Sequence, residues 1–137
     1  MFDINIIQSN NILGEGGFYL HSSNEVVWLD LLKPSISFLN LNKNLFIKEK
    51  LNLKTPLGNI YPINKNNFYI SCANGIYHYS RKTKKIIKKY DVRKKNEFKK
   101  ISYNDGTISN KKLWIGLSHI KETKKIGYFG YLSNNNF

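Results

Sequence analysis

Three times along this chain a short apolar run with an aromatic near its centre follows a glycine- or asparagine-rich segment. The three aromatics, Trp28, Tyr69 and Trp114, stand 41 and 45 residues apart. Within each interval the apolar residues fall into short runs separated by polar turns. Ser35-Ile36-Ser37-Phe38-Leu39-Asn40-Leu41 alternates with period two, as a half-buried strand does. Asn74-Gly75, set between two such runs, is a strong hairpin signal. No segment carries a helical 3.6-residue apolar repeat. A unit of ~40–45 residues holding four short strands is the pattern of a β-propeller blade. The expected fold is therefore all-β, with about two and a half to three four-stranded antiparallel blades. They would form one partial propeller domain over residues 1–137, whereas closed rings need ~4–8 blades.

Composition narrows the function. An aromatic content of 14% and a hydrophobic content of 41% suit a globular core. The single cysteine, Cys72, excludes an internal disulfide and a cysteine-based zinc cluster. His21, His78 and His119 lack metal-ligand spacing, and Ser22, Ser71 and Ser118 lack the context of an activated nucleophile. Apolar runs are broken by charge well before ~18 residues, so no membrane helix is expected. The start, Met1-Phe2-Asp3-Ile4-Asn5, has no basic leader segment, and a cytoplasmic protein is expected. Residues 1–12 read as an edge strand.

The formal charge is +13, from 22 basic and 9 acidic residues. After Arg81, ten more of the cations follow up to Lys100: Lys82, Lys84, Lys85, Lys88, Lys89, Arg93, Lys94, Lys95, Lys99 and Lys100. Such a run reads first as a solvated outer strand and loop. As an alternative it makes a non-catalytic module for an anionic partner. Nucleic acid is not the expected partner, because lysine, asparagine and isoleucine are abundant together, as AT-rich coding produces.

Two polar segments carry candidate chemistry. Leu13-Gly14-Glu15-Gly16-Gly17 holds one carboxylate among glycines, and Asn104-Asp105-Gly106 places an amide and a carboxylate in what reads as a turn. Oxygen donors of this kind suit a hard cation or a sugar-like ligand.

Together these segments resemble a known family. Leu13-Gly14-Glu15-Gly16 with Phe18, then Val27-Trp28-Leu29-Asp30, is similar to the opening of the SMP-30/gluconolactonase/LRE-like (regucalcin) family. Phe38-Leu39-Asn40-Leu41, Asn74-Gly75-Ile76-Tyr77, and Tyr103-Asn104-Asp105-Gly106-Thr107-Ile108 through Leu113-Trp114-Ile115-Gly116 resemble later family motifs in the same order.

The resemblance implies a six-bladed propeller that binds a divalent metal (Ca, Zn, Mn or Mg) and hydrolyses sugar lactones, with this chain as its N-terminal half. It puts Glu15 on a metal-ligand carboxylate, Asn104 on a substrate-facing amide, and Asp105 beside them in support. A further family acid falls at Lys121 or Glu122, which makes Glu122 a second substrate-facing candidate. Ser102 stands where the family has a substrate-binding arginine. The remaining metal ligands and the general base belong to later blades. No catalytic residue is therefore assigned, the chain alone is expected to be inactive, and a second chain is the expected means of completing the ring.

Overall fold

The computed structural model describes residues 6–94, 96–121 and 123–133. Among the described residues eleven strands form three antiparallel sheets in simple up-and-down order. The first holds β1 (Gly14–Leu20), β2 (Glu25–Asp30), β3 (Ser35–Asn40) and β4 (Leu45–Lys50). The second holds β5 (Leu57–Asn64), β6 (Asn67–Cys72), β7 (Gly75–Ser80) and β8 (Lys85–Tyr90). The third, among the described residues, has three strands: β9 (Ile101–Ser109), β10 (Lys112–His119) and β11 (Gly127–Ser133). These are three successive blades, as the repeat predicts. Among the described residues no helix is long and apolar enough to cross a membrane.

Alternation along each strand decides how the blades stack. Val27, Leu29, Ile36 and Phe38 of blade 1 face Phe68, Ile70, Cys72 and Tyr79 of blade 2, forming one fully buried core. The other face of blade 2 presents Tyr69 and Ile76 to Tyr103, Leu113 and Ile115 of blade 3, forming a second core. Trp28 points the other way, away from blade 2, and stacks on Phe46 with ring centres 5.7 Å apart. The 41-residue interval thus matches strands correctly but slips the face by one residue, because Val27, not Trp28, occupies the inter-blade position.

Charge ties the blades at their rims. The Arg81 guanidinium donates to both oxygens of the buried Glu25 carboxylate, at 2.8 and 3.0 Å, and lies 3.8 Å from the centre of the Phe38 ring. Burial would raise the Glu25 pKa, but Arg81 and the Ser23 hydroxyl more than offset it and hold it below the ordinary value. Fully buried Asp30 accepts backbone N–H bonds from Ile12, Leu13, Leu32 and Lys33 at 2.9–3.2 Å. Those four donors outweigh its desolvation and depress its pKa. Asp30 therefore clamps the segment entering β1 onto blade 1.

Two expectations need correction. Residues 6–12 lie outside any strand, so no edge strand forms there among the described residues. They are held instead through Asp30 and through Lys48, whose ammonium reaches Ser9, Asn10 and Asn11. Asn104-Asp105-Gly106 is not a turn but the middle of β9. The left-handed residues come later, at Asn110 and Lys111 (φ 50° and 56°).

Candidate ligand cleft on the innermost strands

The first strand of each blade, β1, β5 or β9, is the innermost, and each contains a β-bulge. Glu15 and Phe18 pair with Leu29 and Val27; Leu57 and Ile60 pair with Cys72 and Ile70; Tyr103 and Gly106 pair with Leu117 and Ile115. In every case the inner strand has one residue more than its partner. A bulge bends the strand and re-aims its side chains. The extra residues arise at Gly16-Gly17, Gly58-Asn59 and Asn104-Asp105, so the two sequence candidates sit on two of the three bulges.

Glycine makes the approach of neighbouring bulges possible. Gly16 has φ +68°, and a Cβ there would fall 2.6 Å from Asn59 Oδ1. A Cβ on Gly58 would fall 2.8 Å from the Tyr103 carbonyl oxygen. Between the three bulges lies a cleft of about 400 Å³ lined by Gly16, Gly17, Asn59, Tyr61, Gly106 and Thr107.

A buried polar network supports its floor. The Asn59 N–H donates to Ser71 Oγ at 2.8 Å, and Ser71 Oγ lies 3.4 Å from the Tyr61 hydroxyl. The Tyr61 hydroxyl in turn donates to the Asn104 carbonyl at 3.3 Å. Tyr61 is only 2% exposed. Burial first, and the Asp105 charge after it, push its pKa up to about 12 against the pull of Ser71, so it is a neutral donor at ordinary pH.

The predicted residues are brought together only in part. Asp105 Oδ1 accepts a hydrogen bond from Asn59 Nδ2 at 3.4 Å, which links blades 2 and 3 at the cleft. Asn104 is exposed on the same bulge, anchored through its carbonyl. Glu15 is exposed and lines a neighbouring hollow of about 510 Å³ with Gly14, Trp28 and Leu39. Gly17 borders both spaces. The Glu15 carboxylate makes no hydrogen bond or ion pair with another described residue, so both of its oxygens are available. Glu122 lies outside the described residues. The hydroxyl of Ser102, in place of the expected arginine, donates to the Tyr103 carbonyl at 3.4 Å and brings no positive charge to β9.

The donor set of Glu15, Asn104, Asp105 and Asn59 is all oxygen and amide, which fits a hard divalent cation. The four do not line one cavity, since Asn59 borders the cleft and Glu15 the neighbouring hollow, and such cations take ~6–8 oxygens. Among the described residues no three His, Cys, Asp or Glu side chains cluster.

Asn59 escaped the sequence reading. The available signal was Gly58-Asn59 opening a strand one repeat before Asn104-Asp105, a place where a bulge recurs.

The basic segment is partly neutralised by acids. Lys88 and Arg93 both pair with Asp91, whose carboxyl they lower to about 2 against its burial, and Lys84 pairs with Glu49. Of the other lysines, Lys85 and Lys89 lie on β8, the outermost strand of blade 2, and Lys82, Lys94, Lys99 and Lys100 lie outside it.

An array of bulged innermost strands, meandering outward blade by blade, defines this chain as part of a β-propeller. A family model for the SMP-30/gluconolactonase/LRE-like region matches residues 13–135, and the chain belongs to that family. No curated protein sequence matches it. Among solved structures it is similar to a calcium-binding regucalcin from Agrobacterium tumefaciens, at 19% identity and a TM-score of 0.75, over 89% of this chain and 40% of that one. A luciferin-regenerating enzyme aligns at 18% identity and a TM-score of 0.74, over 90% and 43%. A conserved lipoprotein from Clostridium novyi aligns at 11% and 0.63, over 91% and 89%. The chain thus spans about two fifths of the first two structures.

Proposed function

We propose that this chain supplies the first three blades of a divalent-metal-dependent, lactonase-type propeller acting on sugar lactones. One observation carries the reading. Glu15 and Asn104, the residues that match the family's ligand positions, both lie at the bulges of innermost strands. In this reading Glu15 is a metal ligand and Asn104 holds a substrate hydroxyl. A bound divalent cation polarises a lactone carbonyl and lowers the pKa of an attacking water. The chain's own residues bind and orient. The Asn104 carboxamide can donate to and accept from one hydroxyl without adding charge. Tyr61 fixes the Asn104 backbone, and Asp105 adds negative charge beside the cation.

With one free carboxylate at Glu15 and one restrained at Asp105, the chain binds Ca²⁺ weakly and needs oxygen ligands from further blades. The test is proton release from glucono-lactone with Ca²⁺, Mn²⁺, Zn²⁺ or Mg²⁺ present. The chain alone is expected to give the uncatalysed rate. Addition of a polypeptide carrying the following three blades is expected to give metal-dependent hydrolysis that Glu15→Gln abolishes. Hydrolysis indifferent to Glu15 contradicts the reading.

A further inference from the structure

Among the described residues, the stack of three blades ends in two faces that no further blade covers. On blade 3, Leu113 and Ile115 turn toward blade 2, so Trp114, Phe129 and Tyr131 share the opposite face. Trp114 stacks on Phe129 with ring centres 5.8 Å apart and lies 4.8 Å from Tyr131, yet Phe129 is 72% exposed and Tyr131 49%. On blade 1, Trp28, Leu39 and Phe46 share the face turned from blade 2, and Ile7 joins Trp28 and Leu39 around the hollow of about 510 Å³.

These two faces are of the kinds that already join inside the chain. Between blades 1 and 2, the third strand of one lies on the second strand of the next, with Phe38 and Phe68 ring centres 5.8 Å apart. The same step would put Phe129 and Tyr131 of β11 on Trp28 of β2. Three blades cannot bend round to make that contact within one chain, since closed rings need ~4–8. The outer edge of β11 is also unpaired among the described residues, where blades 1 and 2 each have a fourth strand. On blade 1, Lys48 of the outermost strand holds Ser9, Asn10 and Asn11, so the segment before β1 crosses the uncovered face toward the rim. There Ile6 is 88% exposed.

We propose that two copies of this chain associate head to tail, blade 3 of each on blade 1 of the other, into one closed ring. Three blades from each copy fall within the range that closes. Two identical contacts about a two-fold axis cover every free face, whereas an unrelated partner would have to match two unlike faces. Each open β11 edge then meets the segment before β1 of the other copy. The second copy repeats Glu15 and Asn104 across the axis but brings none of the residues that the family places on later blades. The association therefore stands apart from the lactonase reading, and a polypeptide carrying later blades would compete for the same faces.

The test is sedimentation equilibrium of the 137-residue chain in about 0.3 M salt, which screens the +13 charge of each copy. The expected mass at about 10 μM is twice the 16.0 kDa of one chain. Phe129→Arg and Ile7→Arg change exposed side chains, one on each face, and each should weaken association about thirtyfold or more. Ile87→Arg on β8, as exposed as Ile7 but on neither free face, should leave it unchanged. Urea midpoints close to that of the parent verify that the variants fold.

A single-chain mass up to about 1 mM overturns the proposal. So does an effect of only one of Phe129→Arg and Ile7→Arg, because unlike faces would then not be meeting. Equal weakening by Ile87→Arg overturns it too, as association without regard to face. A mass growing beyond two chains also overturns it, since a head-to-tail contact that does not close propagates.

Discussion

The Tyr61 hydroxyl donates to the Asn104 carbonyl across 3.3 Å, so a side chain from the innermost strand of blade 2 fixes the bulge that carries the candidate ligand residue of blade 3. Tyr61→Phe removes this bond and the contact with Ser71, and should cost about 1 kcal/mol. Because burial raises the Tyr61 pKa to about 12, the folded state holds the phenolic proton longer than the unfolded state does. That stability is fully present below pH ~10 and is lost as pH rises toward 12. Tyr79, raised by burial and by its bond to Glu49, adds to the alkaline loss. Urea midpoints measured from pH 8 to 12 should therefore fall less steeply in Tyr61→Phe than in the parent chain.

Asp30 offers a test at acid pH. Its carboxylate satisfies four backbone N–H groups and faces Lys48 at 3.8 Å. With its folded pKa held below the ordinary value, its contribution is present above pH ~4 and lost as pH falls through the depressed value. Asp30→Ala should cost about 3 kcal/mol at pH 7, because buried donors are left unmet. Urea unfolding from pH 7 to 3 should show a shallower acid dependence in the variant.

Arg81 belongs to the basic segment by sequence and to the blade interface by structure. Arg81→Ala strands the Glu25 carboxylate in a buried place and should cost about 3–5 kcal/mol. Replacing both together, as Arg81→Met with Glu25→Leu, should restore most of that stability. Thermal denaturation of the single and double variants measures the difference.

Gly16 and Gly17 are adjacent and should behave differently. Gly16→Ala forces a side chain into left-handed backbone and onto Asn59, which should cost about 1–3 kcal/mol and displace the Asn59 carboxamide signal. A Cβ on Gly17 would first meet the Trp28 Cβ, at 4.0 Å, so Gly17→Ala should change the urea midpoint little.

The strands were legible because they alternate. Ser35–Asn40 puts Ile36 and Phe38 against blade 2 and small serines on its other buried face, which leaves a period of two, whereas Asn67–Cys72 is buried on both faces and reads as a short apolar run. The bulges were not legible. Asn104-Asp105-Gly106 carries turn-forming residues, yet the strand absorbs them as an inserted residue and the true turn forms at Asn110-Lys111. Glu15 and Asn104 were visible as chemistry. Asn59 was not, since its meaning comes from Gly16 and Asp105, which are distant in sequence. Arg81 and Glu25, 56 residues apart, were hidden for the same reason.

The most direct test of the axial cation site is paramagnetic broadening of amide signals by substoichiometric Mn²⁺. The account predicts broadening centred on Gly14–Gly17, Asn59 and Asn104–Gly106, and its loss from the first group in Glu15→Gln. Broadening centred on Glu49 or Asp91, with the three bulges untouched, would contradict it.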